Sequence, residues 1–413
     1  MEPPGADTVL VRHGEIGTKS AQVQARMERQ LANNLRAMLS WRDIPATVSH
    51  SRGRLFIETT ESMIETATTV ARQTAGVISA SPAITVEPTE AAIYRALRRS
   101  ARTHYDGGTF AVRARRVGER ETHPFTSADL EERGGSEIWD TVSASISPKV
   151  DLTDPDYTFY VECREQAAYI FLQKLSGMGG FPVGTQGKTI ALISGGIDSP
   201  VAAWEMLRRG CEIIPLYFDF EDYGGPDHVA RALESVRNLA SYSPSGALPL
   251  YRIPIGEAAH ELIEHIDATR MLSLRRLMVS AGETIAAAEG AHSLTMGESI
   301  GQKSSQTGWN LAVTDATIDL PIHRPLLDRD KHDIIEQAKE LDTFTTATIP
   351  AGCNRVAPSY PETRATIEQV EAAEPAGLFD YVEAMIDAAE YRTVTATTRE
   401  SSQQETQVQG SAR

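Results

Sequence analysis

The sequence lacks several things, and each absence excludes a class. No apolar run approaches the roughly 18 residues that a spanning helix requires, so a helical membrane protein is excluded. Cysteine occurs three times, at Cys163, Cys211 and Cys353. These are too far apart for a CxxC metal spacing or a disulfide framework, and no other side-chain cluster reads as a metal site. The first residues, MEPPGADTVLVRHGEIG, hold no basic segment followed by an apolar one, so no secretory signal is expected. The expectation is a reduced, cytoplasmic protein without a membrane partner. Lysine is scarce, seven residues against 33 arginines.

What is present points to a globular protein. At roughly 150 residues per domain, 413 residues suggest two to three domains. A 41% hydrophobic and 23% charged composition supports a sizeable core. Acids outnumber Lys and Arg by 56 to 40, giving a formal charge of -16. Excess carboxylate with little lysine resembles proteins of salt-loving organisms, where salt screens self-repulsion. GC-rich codon usage produces the same bias, and the two readings stand level.

The first half mixes helix and strand patterns without regular alternation, as an α+β region does. Residues 20–39 place Val23, Met27, Leu31, Leu35 and Leu39 on one helical face. Residues 77–81 and 84–86 read as two extended pieces, and a helix is expected over 89–105. Between residues 95 and 120 lie Arg95, Arg98, Arg99, Arg102, Arg113, Arg115, Arg116 and Arg120, against Asp106 and Glu119. In an acidic chain this stretch suits phosphate neutralisation, although a solvated helix face has the same composition. A glycine-rich stretch, SGMGGFPVGTQGK at 176–188, marks a linker or a sharp approach to the next domain. From residue 189 strands and helices alternate, which argues for a parallel α/β sheet. Residues 393–413 are rich in Thr, Ser and Gln and read as a disordered tail.

The informative string is TIALISGGIDSPVAAW at 189–204. An apolar strand runs into Ser194, Gly195 and Gly196, and a helix is expected from about Pro200. Two glycines let backbone approach a ligand without Cβ clashes, and the helix start presents free N–H groups to an anion. Proline suits a first turn because no N–H is needed there. This is a phosphate cradle, and it is not the GxxxxGK[ST] loop of kinases and GTPases.

SGGIDS resembles the PP-loop of ATP pyrophosphatases, which cleave ATP between the α and β phosphates. Further blocks narrow the resemblance: RHGEIG at 12–17 with Lys19, GMGGFPVG at 177–184, RRLM at 275–278, MGESIGQKSSQT at 296–307, Asp330-Lys331, and Cys353. Collinear over about 9–365, they resemble the tRNA 4-thiouridine synthetase (ThiI) family. That family implies a ferredoxin-like domain (1–62), a THUMP RNA-binding domain (63–168), a linker (169–188) and a PP-loop domain (189–392). The implied activity adenylates uridine at position eight of tRNA with ATP and Mg²⁺, then replaces O4 with sulfur.

Carried onto this sequence, the resemblance implies that Ser194, Gly195, Gly196 and Ser199 cradle the phosphates. Leu192, Ile193, Tyr217 and Phe218 would border adenine and ribose, and Arg276, Gly297 and Gln306 match further ATP-contacting positions. Asp198 would position Mg²⁺ or phosphate, Lys331 would stabilise developing charge, and Cys353 would take part in sulfur transfer. Tyr217 and Phe218 suit core positions at a strand end equally well. The THUMP resemblance covers Arg95, Arg98, Arg99, Arg102, Arg113, Arg115 and Arg116 as tRNA-binding candidates. Many members carry a rhodanese domain with a second cysteine. None is recognised here, which leaves open whether the sulfur comes from free sulfide, a separate carrier protein or a persulfide formed on Cys353 itself, and weakens a link to thiamine synthesis. A homodimer is implied by resemblance only. Two departures are His13 for the usual tyrosine and Lys303 for an apolar residue. The competing functions are another PP-loop tRNA-adenylating enzyme and a non-catalytic THUMP RNA-binding protein.

Overall fold

The expected first strand forms as β1 (Thr8–His13), with Val9 and Val11 facing one core and Leu10 the other face of its sheet. The computed structural model describes residues 1–51, 53–344 and 355–397. The chain divides into two units, 1–181 and 182–413.

In the first unit β1 is followed by α1 (Ala21–Ser40), β2 (Ala46–His50), β3 (Leu55–Thr59), α2 (Ile64–Arg72) and β4 (Val77–Val86). The periodicity read at 20–39 is the buried face of α1, where Met27, Leu31, Leu35 and Leu39 enter the core with α2. Then come α3 (Glu90–His104), β5 (Thr109–Arg116), α4 (Ser127–Val142), β6 (Lys149–Val150), β7 (Tyr157–Cys163), β8 (Ala168–Phe171) and β9 (Leu175–Ser176). All nine strands join one sheet in the order β2-β3-β1-β4-β8-β7-β5-β6, with β9 also on β4. Helices α3 and α4 cover their own core against β5, β7 and β8.

Two expectations about this half are corrected. The extended pieces at 77–81 and 84–86 are a single strand through Pro82. Pairing with β9 ends at Ala80 and pairing with β8 begins at Ala83, so the proline lies where no ladder N–H is demanded. The stretch 169–188 is not a free linker. It holds most of β8, all of β9 and the first residue of β10, and Phe181 is buried in the first unit's core.

The second unit contains β10 (Lys188–Ile193), α5 (Asp198–Arg208), β11 (Glu212–Asp219), α6 (Pro226–Ala240), β12 (Ala247–Pro254), α7 (Gly256–His265) and α8 (Arg270–Glu289). Beyond these lie β13 (Leu294–Thr295), α9 (Gly308–Asp315), β14 (Ile322–His323), α10 (Lys331–Glu340), α11 (Ile367–Ala373), α12 (Tyr381–Asp387) and β15 (Glu390–Thr395). The sheet order is β14-β13-β10-β11-β12-β15. Its first five strands are parallel, as expected, and β15 is antiparallel to β12. The tail expected from 393 therefore begins too early, because Thr393–Thr395 complete an edge strand. Residues 398–413 lie outside the described ones. Register pairs Ile193, the last residue of β10, with Tyr217, so β11 runs two residues further, to Asp219, at the carboxyl edge.

Candidate active site

Ser194, Gly195 and Gly196 leave β10 at that edge, where open α/β sheets bind ligands. The chain becomes helical at Asp198, two residues before the expected Pro200, which takes the third position of α5. Ser199 closes the turn. Its Oγ accepts the Ser194 N–H at 2.8 Å and lies 3.1 Å from the Ser194 Oγ, while the Gly196 N–H donates to Ser194 Oγ at 3.2 Å. The result is a short loop whose polar groups converge at a helix N-terminus.

Gly297 packs against this turn. A Cβ there would lie 2.6 Å from the Ser199 nitrogen and 2.7 Å from Asp198 carbon, a separation no side chain tolerates. The glycine therefore brings the segment after β13 directly onto the start of α5. That segment supplies Gln302, whose Nε2 donates to Asp198 Oδ2 at 3.0 Å, and Lys331 Nζ lies 2.5 Å from Oδ1. Three chain segments thus meet at the Asp198 carboxylate. Lys303 is exposed. Gln306 is buried, and its Oε1 has no hydrogen-bond partner among the described residues.

Leu192 and Phe218 belong to the hydrophobic core, and Ile193 is buried at the end of β10. Tyr217 is buried with its hydroxyl 2.8 Å from His228 Nδ1. Arg276 is buried among carboxylates of the α11 region, 2.9 Å from Glu374 and 3.2 Å from Glu371. Burial raises the Glu374 carboxyl, offset in part by that arginine. Cys353 lies outside the described residues. Among those residues no group of three His, Cys, Asp or Glu side chains is placed to hold a metal ion.

Sequence reasoning missed four supports of the loop. Gln302 and Glu298 sit inside the quoted block 296–307, so their neighbourhood was visible but their roles were not. Glu298 is buried and ion-paired to both Arg275 and Arg324. Burial, then the neighbouring Arg324, pulls the Arg275 guanidinium down to about 10. His228 and Arg231 of α6 back onto Gly195, and Arg231 donates to the Gly195 carbonyl. One amphipathic helix looks like another in sequence, and nothing singled these two out.

In the first unit, Arg95, Arg99 and Arg102 are exposed on α3, while Arg98 is held by Glu137 at 2.5 Å. Along β5, Arg115 is exposed, Arg113 donates to the Leu152 carbonyl and Arg116 to that of Phe125. The sheet face away from the helices carries a basic cluster that the sequence did not reveal. Arg12 lies over Phe171, Arg164 over Phe56 and Lys174 over Tyr160, and Arg54 and Arg164 share Glu162. Burial, then Arg54, lowers the Arg12 guanidinium to about 10. His13 rests on Glu28 at 3.0 Å.

Comparison with known proteins agrees with this architecture. The chain matches the family described as thiamine biosynthesis protein (ThiI) over residues 184–378, the THUMP domain over 87–173 and the ThiI ferredoxin-like domain over 8–81. The ferredoxin-like match extends past the boundary expected at residue 62, in keeping with the pairing of β4 on β1. A probable tRNA sulfurtransferase of Halobacterium salinarum is 49% identical over 385 residues, covering 93% of this chain and 97% of the relative. One of Methanosarcina acetivorans is 36% identical over 368 residues, 88% of each chain. A crystal structure of a 4-thiouridine synthetase–RNA complex with bound ATP matches with a TM-score of 0.83 at 27% identity, over 94% of this chain and all of that one. On its sequence, its fold and the turn that carries Asp198, this chain belongs to the ThiI family.

Proposed function

We propose that the chain is an ATP-dependent tRNA sulfurtransferase that converts uridine at position eight to 4-thiouridine. The observation that carries the reading is the convergence of Lys331 and Gln302 on Asp198 beside a glycine turn closed by Ser199. Such a site holds a triphosphate by backbone N–H groups and keeps a cation and an anion within reach of it. Uridine O4 attacks the α-phosphorus, pyrophosphate leaves, and O4 becomes the bridge to AMP. A sulfur nucleophile then attacks C4, and AMP departs with O4.

The residues take roles by position. Ser194, Gly195, Gly196 and Ser199 hold phosphate; Lys331 offsets charge that builds on the transferring group. The unpartnered Gln306 Oε1 suits a ligand donor such as an adenine amino group. Gly297 provides the close approach, whereas Leu192, Ile193, Tyr217 and Phe218 form the wall. Arg276, paired with Glu371 and Glu374, is the further ATP contact, to phosphate or ribose. A Mg²⁺ ion fits as a companion of the ATP phosphates, since magnesium takes few protein ligands and keeps several waters; Asp198 is the carboxylate that would hold it. Bound there, it would neutralise phosphate charge.

Cys353 is the nucleophile or the disulfide partner of the sulfur step when a separate carrier protein's persulfide passes its outer sulfur to the cysteine thiolate and the carrier leaves as a thiolate; free sulfide would instead attack C4 directly. Arg95, Arg98, Arg99, Arg102, Arg113, Arg115 and Arg116 offer tRNA phosphate contacts. A homodimer and a cytoplasmic location complete the reading. The discriminating experiment is ATP/pyrophosphate exchange with unmodified tRNA. Exchange should persist in Cys353→Ser and vanish in Asp198→Ala; equal loss in both would overturn the division between adenylation and sulfur transfer.

A further inference from the structure

Resting on the ATP reading above, we infer that His228 is a further phosphate-binding residue, presenting an Nε2–H donor to the loop at Gly195. Nothing in the sequence motifs assigns it. His228 and Arg231 lie three residues apart on α6 and therefore on one face of that helix. Both pack on Gly195: a Cβ built there would meet His228 Cδ2 at 3.3 Å, His228 Nε2 at 3.4 Å and Arg231 Cβ at 3.3 Å. The imidazole edge that carries Nε2 thus lies against the phosphate loop.

The opposite ring nitrogen is engaged. Tyr217 Oη lies 2.8 Å from Nδ1 in a buried contact. Burial, followed by the nearby Arg231, holds this imidazole below its usual range, so it is neutral near pH 7. A neutral ring has one N–H. The tautomer we infer is the one in which the Tyr217 hydroxyl donates to Nδ1, which leaves the proton on Nε2. His228 is only 5% exposed, and no hydrogen bond to Nε2 is present among the described residues. The Nε2 edge faces the glycine turn without being sealed from solvent, so an acceptor bound in the turn can reach it. A phosphate oxygen is the acceptor that the turn is built to receive.

Arg231 reinforces this geometry. It donates to the Gly195 carbonyl. In a trans peptide the following N–H points the opposite way, toward the Ser194 hydroxyl side where Gly196 N–H is found. Arg231 is a positioning residue, and His228 the group that touches the ligand.

The test compares binding of adenosine, AMP and ATP by wild-type protein, His228→Phe, His228→Gln and Tyr217→Phe, with a thermal melt for each. His228→Phe should weaken ATP about ten- to a hundredfold, as expected for loss of one hydrogen bond to a charged group, and leave adenosine within about twofold. His228→Gln, which restores a donor, should recover part of the loss. Tyr217→Phe, which frees the tautomer, should weaken ATP severalfold. Equal ATP affinity in wild type and both His228 variants would overturn the inference, as would parallel losses for adenosine and ATP. If His228→Phe does not fold, His228→Gln decides by the same criterion. Absence of ATP binding by the wild type would instead sink the ATP reading itself.

Discussion

Glu298 is a carboxylate 2% exposed that bridges arginines from two parts of the second unit, one of which, Arg324, also holds Asp315 at 2.5 Å. Removing it would strand the buried Arg275 guanidinium and leave Arg324 with Asp315 alone, so Glu298→Ala should cost about 3–5 kcal/mol in urea denaturation. Its neighbour acts differently. Gly297→Ala should abolish ATP binding through the clash with Ser199, with a smaller change in the denaturation midpoint. Cys163 is buried and its thiol is pushed up to about 11, and burial also raises Cys211. A raised pKa leaves little thiolate at pH 8. Native Cys353→Ser protein should therefore show no fast-alkylating thiol; one or two fast thiols would contradict this. At this scale the sequence disclosed residues whose type is dictated by backbone geometry, such as Gly195, Gly196 and Gly297. It did not disclose Gln302 on Asp198 or Arg275 on Glu298, because those partners are set by tertiary approach and no local pattern encodes them.

Elements were legible where a period or a turn signal was strong. Helix α3 is one: Thr89 caps it by accepting the Ala92 N–H, and Ile93, Leu97 and Ala101 form its buried face. Thr89→Ala should lower stability by about 1 kcal/mol, measured as a shift of the urea midpoint at unchanged slope. What misled was chemistry that usually breaks structure. Pro82 divided β4 on paper, yet the strand changes partners at that residue. Glycines at 176–188 suggested a linker or a sharp approach to the next domain; Ser176 ends β9, Phe181 is buried in the first unit's core and Lys188 begins β10. Polar Thr393–Thr395 suggested a tail, yet an antiparallel edge strand tolerates exposed polar residues, and five of the six residues of β15 are exposed.

Taken whole, the molecule combines a net charge of -16 with two basic surfaces in its first unit, on α3 and on the sheet face around Arg12. Counterion release makes such binding steep in salt. Replacing Arg95 and Arg102 by glutamate should flatten the dependence of tRNA affinity on salt by about one unit of slope per contact removed; an unchanged slope would assign those arginines to solvent. The division into a half that matches the ferredoxin-like and THUMP models and a half that matches the ThiI model followed from the collinear motifs, because each motif fixes its own local geometry. The central claim is that this site activates a tRNA uridine for thiolation. Its most direct test is nucleoside analysis of bulk tRNA from cells lacking the gene and from cells carrying Asp198→Ala. The account predicts that 4-thiouridine is absent from both and returns with the wild-type gene; its retention in the deletion strain would contradict the account.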